Sequence, residues 1–293
     1  YEMYEKAPSN IEIAFPMKEG VVSRFNDMQY ILNNLLKSGR RFIRGSEYVI
    51  AVPTDVTEVE KKAFYDLLIH SSAKARSVFV IDRGVADAVG LGLDVKNSRG
   101  IFIANLGAET MELSVISYGG IVLNKLVKKG ALHLDISIQN LVRQKYDFLI
   151  GKLTAENLRR SLGFFSNSDI TKMNVTGRNV LVGVPQQKEI TVDIVRAATK
   201  ESLDECVTSI RSMLERTPPD ILRTIREDGI YLVGGLANLN GIDIYFSEML
   251  QIPVTVGGTP ELNSVKGIAR IINSKDLKDL TYSMLDGNYR WMR

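Results

Sequence analysis

Hydrophobic and polar positions alternate along this chain with two periods, and the switches between them mark out its elements. "NDMQYILNNLLKSG" (26–39) places Met28, Ile31, Leu32, Leu35 and Leu36 on one helical face, with Gly39 closing the helix. "YVIAVP" (48–53) and "SVFVID" (77–82) are short apolar runs of the buried-strand type. Between them, "TEVEKKAFYDLLIHSSA" begins at Thr57 with Glu60 three residues on, which predicts a capped helix start. "GVADAVGLGL" is small and helical. "IFIANLGAETMELSVIS" (101–117) reads as two strands around a polar turn, and "GGIVLNKLVKKG" extends it into a meander with Gly119-Gly120 at the corner.

Further on, "HLDISIQNLVRQKYDFLIG" is amphipathic, with Ile136, Leu141 and Val142 among its apolar positions, and "TAENLRRSLGFF" starts a helix at Thr154. From 166 to about 192 the chain turns polar and β-rich, which predicts a small inserted subdomain over about 166–213. A helix over roughly 193–215 follows. Another begins at Thr217-Pro218-Pro219, where a first-turn proline forfeits no hydrogen bond. "GIYLVGGLANLNGIDIYFSEML" reads strand, Gly-Gly turn, helix, and the charged aromatic tail predicts a terminal helix with a loose end. Strands and helices that alternate in this way predict an α/β fold.

Composition narrows the classes. At 293 residues there is room for two domains, and 45% hydrophobic with 24% charged residues is ordinary for a globular protein. A formal charge of +3 gives no reason to expect nucleic acid as a partner. The single Cys206 excludes an internal disulfide framework and reads as a buried thiol in a reducing compartment; with only His70 and His133 beside it, no His/Cys metal cluster can be assembled. No run reaches the roughly 18 apolar residues of a membrane span. The chain opens on Tyr1 in mid-pattern, which suggests that a further N-terminal piece belongs upstream.

Six segments in order resemble the bacterial actins of the MreB family, within the actin, sugar-kinase and heat-shock-chaperone superfamily. They are "GVVSRF", "AVPTDVTEVEKKA", "ELSVISYGGIV", "KYDFLIGKLTAENL", "ERTPPDIL" and "GIYLVGGLANLNGID". The resemblance runs from about residue 8 to 272. It implies an actin-like (ribonuclease H-like) two-domain fold around a nucleotide cleft. Residues 1–98 with 269–293 would form domain I and 99–268 domain II. Family members begin with a hairpin that carries a first phosphate loop, and nothing in this chain matches it.

The resemblance also implies ATP with Mg²⁺ as cofactor and locates the positions that would hold it. Backbone amides in a Gly-rich turn cradle phosphates, a carboxylate at its head holds a hydrated cation, and a second acid orients the attacking water. The family's second phosphate loop runs Asp-Ile-Gly-Gly-Gly-Thr-Thr-Glu. Its head Asp falls on Asn105; Gly107, Thr110 and Glu112 are kept, while two floor glycines become Ala108 and Glu109. A carboxylate beside anionic phosphate costs roughly 1 kcal/mol in water and about 4 near a protein surface at 4 Å. The water-orienting Glu becomes Arg83, which accepts no hydrogen bond, leaving Asp82 or Asp87 as substitutes. The third loop, Gly-Gly-Asp-Glu in the family, reads Gly130-Ala131-Leu132-His133. At the nucleoside end, Gly234-Gly235 is kept with Leu236 in place of a third glycine. The ribose-contacting Glu-x-x-Lys survives as Glu156 and Arg159, which read equally well as a solvated surface pair. The loop at 105–110 therefore stands as either a weakened phosphate loop or a plain hairpin turn.

In "GRRFIRG" (39–45), Phe42 and Ile43 occupy the place of the family's membrane-inserting dipeptide, flanked by Arg41 and Arg44. Folding back onto the core is the alternative. Taken together, the resemblance implies a cytoplasmic cell-shape protein, peripheral at the inner membrane face. Its partners would be itself in head-to-tail filaments, or a nucleotide-competent relative, with weak or absent hydrolysis. An active ATPase and a non-polymerising adaptor are the competing readings; a sugar kinase would need an acidic base that the cleft lacks.

Overall fold

The structure is a computed structural model that describes residues 8, 10–38, 45–72, 74–163 and 171–284. In chain order, a short hairpin β1 (Met17–Lys18) and β2 (Val21–Val22) precedes α1 (Phe25–Ser38), β3 (Glu47–Val52), α2 (Glu58–Ile69), β4 (Ser77–Asp82) and α3 (Arg83–Leu91). The meander β5 (Ile101–Leu106), β6 (Met111–Ser117) and β7 (Gly120–Val127) leads into α4 (Ala131–Tyr146), β8 (Phe148–Leu149) and α5 (Lys152–Leu162). Then come β9 (Lys172–Asn179), β10 (Pro185–Thr191), α6 (Val192–Arg216), α7 (Pro219–Asp228) and β11 (Ile230–Val233). The chain ends with α8 (Ile242–Leu250), β12 (Val254–Val256) and α9 (Asn263–Asn273).

The strands at 48–53 and 77–82 form as expected and pair in parallel as β3–β4. The larger sheet has the order β12-β11-β5-β6-β7, parallel through β12, β11 and β5 and antiparallel across the meander. Thr57 caps α2 reciprocally with Glu60, as the sequence predicts, and Pro219 starts α7. Cys206 is buried, and burial pushes its thiol up to about 12.

Two expectations change. On α1, Leu32 packs inward but Ile31 and Leu35 are exposed, so its apolar face is covered only in part. The tail forms a 3-10 turn over Lys275–Leu280 rather than an α-helix there, and Tyr282 is drawn into an antiparallel bridge with Val80 at the edge of β4; residues 285–293 lie outside the described residues. The β9–β10 hairpin, inside the stretch expected as an inserted subdomain, packs together with helices on either side of it. Ile138 and Val142 of α4, Leu158 and Leu162 of α5, Val175 and Ile190 of the β9–β10 hairpin and only the first turn of α6 share one core. The rest of α6, from Leu203 to Leu214, belongs to the core of the five-stranded sheet. α4 and α6 thus run between two cores and tie them together.

α3 and α9 pack backbone against backbone. A Cβ on Gly267 would stand 1.8 Å from the Ala86 carbonyl oxygen, and one on Gly90 would stand 2.2 Å from that of Asn263. Small residues here let two backbones touch and seat α3 deep between the sheets. Gly267→Ala is expected to destabilise by about 1–3 kcal/mol through overpacking. Thermal unfolding should show a midpoint several degrees lower. Gly235→Ala, whose new Cβ meets nothing within 4 Å, should leave the midpoint unmoved.

Candidate functional site

β5 and β6 deliver the turn 107–110 to the edge of a cleft. The Gly107 amide donates to the Thr110 carbonyl at 2.9 Å, closing the turn. Gly130 precedes α4 and lies directly against this turn, since a Cβ there would stand 2.5 Å from the Ala108 carbonyl oxygen. The first amides of α4, on Ala131 and Leu132, donate to the Gly107 and Ala108 carbonyls at 3.1 and 2.8 Å. Helix-start amides that could face an anion are therefore spent on the loop itself. Glu109 points to the β1–β2 turn, where the Glu19 amide donates to its carboxylate at 2.5 Å. Thr110 is buried.

The acids nearby are each engaged. Asn105 donates its side-chain amide to Asp87 Oδ2 at 2.6 Å, and Ser264 Oγ donates to the other oxygen at 2.6 Å. Asp87 is fully buried on α3, and burial lifts its carboxyl to about 6 against the pull of these two hydrogen bonds. Asp82 lies 3.5 Å from the ammonium of Lys61, a lysine only 1% exposed, and within 3.5 Å of the Tyr282 hydroxyl. Glu112 accepts the Thr54 amide at 2.9 Å and the Thr54 hydroxyl at 2.7 Å, both on Oε1. Its Oε2 faces Arg83 Nη1 at 3.5 Å. Burial pushes the Glu112 carboxyl above the usual carboxylate range, opposed by Arg83 and by Thr54.

These residues do not fit a hydrated divalent cation. Such an ion needs carboxylate or carbonyl oxygens that are free to turn toward it. Asn105 is neutral and tied to Asp87, and a guanidinium already stands at Glu112. Among the described residues no group of three or more potential ligands converges.

The residues that the resemblance assigns to the nucleoside end differ in their surroundings. Gly234 sits at φ 87° with no room for a side chain, because a Cβ would stand 2.4 Å from the Leu106 carbonyl oxygen and 2.6 Å from Asn105 Oδ1. Gly235 faces open space, whereas Leu236 is buried in the core. Arg159 does not lie at the surface with Glu156. Its guanidinium is buried in a two-point pair with Asp135 of α4, at 2.6 and 3.2 Å, and Glu156 pairs with Arg160 at 2.6 Å. Arg41, Phe42, Ile43 and Arg44 lie outside the described residues.

Thr54, Lys61 and Ser264 are site residues that the sequence reading missed. Lys61 carried a signal: it shares the stripe of Phe64, Tyr65 and Leu68 on α2, and a lysine on a buried stripe must find an acid. Thr54 and Ser264 carried none, being ordinary loop and helix-start residues.

The profile of the family described as MreB/Mbl protein matches residues 1–279. The chain belongs to that family. The cell shape-determining protein MreB of Escherichia coli K12 is 32% identical over 94% of this chain and 80% of its own length. MreB5 of Spiroplasma citri bound to AMPPNP superposes with a TM-score of 0.88 at 26% identity, over 95% of this chain and 84% of that one. The ADP-bound form of MreB5 gives 0.89 at 25% identity over the same shares. The chain has the actin-like fold of these MreB structures.

Asp87 offers a test of the cleft's electrostatics. Because its folded carboxyl lies above the unfolded value of 3.8, its contribution is fully favourable below that value and is lost as pH rises through about 6. The difference corresponds to roughly 3 kcal/mol. Asp87→Asn should therefore gain stability relative to the wild type between pH 4.5 and 7.5 by about 2 kcal/mol, the part of that figure not already lost at pH 4.5. Denaturant unfolding at the two pH values measures it; a constant difference would exclude Asp87 as the titrating group.

Proposed function

We propose that this chain is a cytoskeletal cell-shape protein that assembles head to tail at the inner face of the cell membrane, with a cleft that binds nucleotide weakly and does not hydrolyse it. Family membership supports the cytoskeletal role. The observation that carries self-association is the β9–β10 turn, where Val180, Leu181, Val182 and Val184 are 40%, 78%, 63% and 47% exposed. So dense an apolar tip is unusual on a lone globular surface.

The tip has a counterpart on the same chain. The Val180 amide bonds to Asp147 at the C-terminal end of α4, so the tip lies at that end of the body. At the C-terminal turns of α6, Leu214, Leu222, Leu250 and Ile252 line a groove of about 350 Å³ together with Arg211, Glu215 and Arg226. α6 has 25 residues and is therefore about 37 Å long, and its last turns carry Arg211, Leu214 and Glu215 of the groove. A tip that fits the groove of the next copy makes a contact between unlike surfaces, which does not close and so propagates.

Weak nucleotide binding is supported by the AMPPNP and ADP held by the MreB5 structures and by the open space at Gly235. Loss of hydrolysis is supported by Arg83 at the water-orienting position and by the paired state of every nearby acid. Membrane contact rests on Phe42 and Ile43 between arginines. No helix among the described residues is long and apolar enough to cross a membrane.

Sedimentation and negative-stain microscopy of the full chain at rising concentration should show filaments. The double variant Leu181→Ser, Val182→Ser should remain monomeric with an unchanged circular dichroism spectrum; a wild type that stays monomeric under all conditions would favour the adaptor reading. Phe42→Ser, Ile43→Ser should cut co-sedimentation with anionic vesicles several-fold while leaving filaments intact, since each buried apolar side chain contributes at most about 1.5–3 kcal/mol. Phosphate release from Mg-ATP should stay at the buffer background.

A further inference from the structure

We infer that Arg83 is a built-in cation that, with Thr54, clasps Glu112 across the cleft and holds it closed without a metal ion. The inference rests on reading this cleft as the family's nucleotide cleft. It adds that the closing charge is carried by the polypeptide.

Three observations converge on it. Glu112 belongs to β6 of the five-stranded sheet and is 2% exposed. Both groups that grip it come from the ends of β3 and β4: Thr54 follows β3, and Arg83 opens α3, which directly follows β4 and packs against β6. The grip uses both carboxylate oxygens, with two hydrogen bonds to Oε1 and the guanidinium facing Oε2, which accepts no hydrogen bond of its own. A buried carboxylate separated from its donors and its counter-ion would be stranded in an apolar surround, so the two sheets cannot part here without a large penalty.

The neighbouring charges favour the same outcome. Lys61 neutralises Asp82 beside Arg83, and Asp87 is tied to Asn105 and Ser264. A divalent cation entering this floor would meet a guanidinium and a lysine and find no carboxylate at liberty. Gly84 lets α3 come this close, since a Cβ there would stand 2.4 Å from Ser114 Oγ. Closure and metal binding, coupled wherever a cation bridges a cleft, are separated in this chain.

Hydrogen exchange reads the clasp directly, because the Thr54 amide is one of its bonds. The chain is used in its Leu181→Ser, Val182→Ser form, so that assembly and clasp are scored apart. Exchange of the peptide spanning 52–57 should be equally slow in EDTA and in saturating Mg²⁺ with AMPPNP, within a factor of three. Arg83→Gln should speed it at least tenfold, Arg83→Lys should restore most of the protection, and the β5–β6 ladder should not change in either variant. Protection that rises tenfold on adding Mg²⁺ and AMPPNP to the Arg83 protein would overturn the inference. So would an Arg83→Gln protein with unaltered exchange at 52–57. Failure of filament assembly in the parent chain bears only on the function proposed above.

Discussion

A carboxylate buried where two sheets meet has to be supplied with donors and a positive charge, and Glu112 imposes that requirement on its whole neighbourhood. It stands on β6 and faces the residues that follow β3 and β4. The side chains that satisfy it are widely separated in sequence yet fixed in space by the ends of β3 and β4. The parallel pairing of those strands brings Val52 level with Asp82, so the residues that follow each strand emerge side by side at the cleft. Strand register thus sets the grip on Glu112 before any ligand is considered.

That register would be of no use if α3 stood farther off. The helix begins at Arg83 and carries Gly84 and Gly90 on faces where backbone or hydroxyl atoms from β6 and α9 press against it. α9 closes from the other side through Gly267, while its first residues, Asn263 and Ser264, bond to the Asp87 carbonyl and carboxylate at 2.7 and 2.6 Å. Packing and polar satisfaction depend on each other here. The small residues permit the approach, and the approach buries Asp87 so deeply that its charged form is disfavoured until pH passes about 6. A pocket that raises the energy of its own acid in this way is a poor place to gather further negative charge from phosphates.

Much of the architecture is legible in the sequence because it follows from periodicity and punctuation. The apolar runs 48–53 and 77–82, the Thr57–Glu60 cap and the prolines at 218–219 each encode their element locally. What is not legible depends on partners distant in the chain. Arg159 reads as a surface or ligand residue by its spacing to Glu156, but Asp135, 24 positions earlier, takes it into the interior. Tyr282 lies in a tail that reads as helical until the free edge of β4 recruits it. The exposure of Ile31 and Leu35 likewise escapes a period count, which finds an apolar face and not what covers it. In the cleft, the exchanged residues Asn105, Arg83 and Glu109 are visible one at a time, whereas their mutual pairing through Asp87, Glu112 and Glu19 appears only in three dimensions.

Those exchanges make sense together where they make little sense singly. An arginine at the head of α3, half-buried among acids, would be a stray cation unless an acid faced it, and Glu112 does. Asn105 without the charge of an aspartate would be a lost ligand, yet as a donor it satisfies one oxygen of Asp87, which an aspartate could not do. Glu109 in a turn that should welcome anions would repel them, yet it accepts the Glu19 amide and anchors the β1–β2 hairpin over the loop. Each substitution turns a group that would reach toward a ligand into one that reaches toward the protein. The backbone of the turn keeps its form because the Gly107–Thr110 bond and the α4 amides hold it, independently of phosphate. A site altered at one position would be left with an unpaired charge. A site altered at all of them has its charges paired internally, and a polypeptide in that condition no longer needs a bound cation to keep its cleft together.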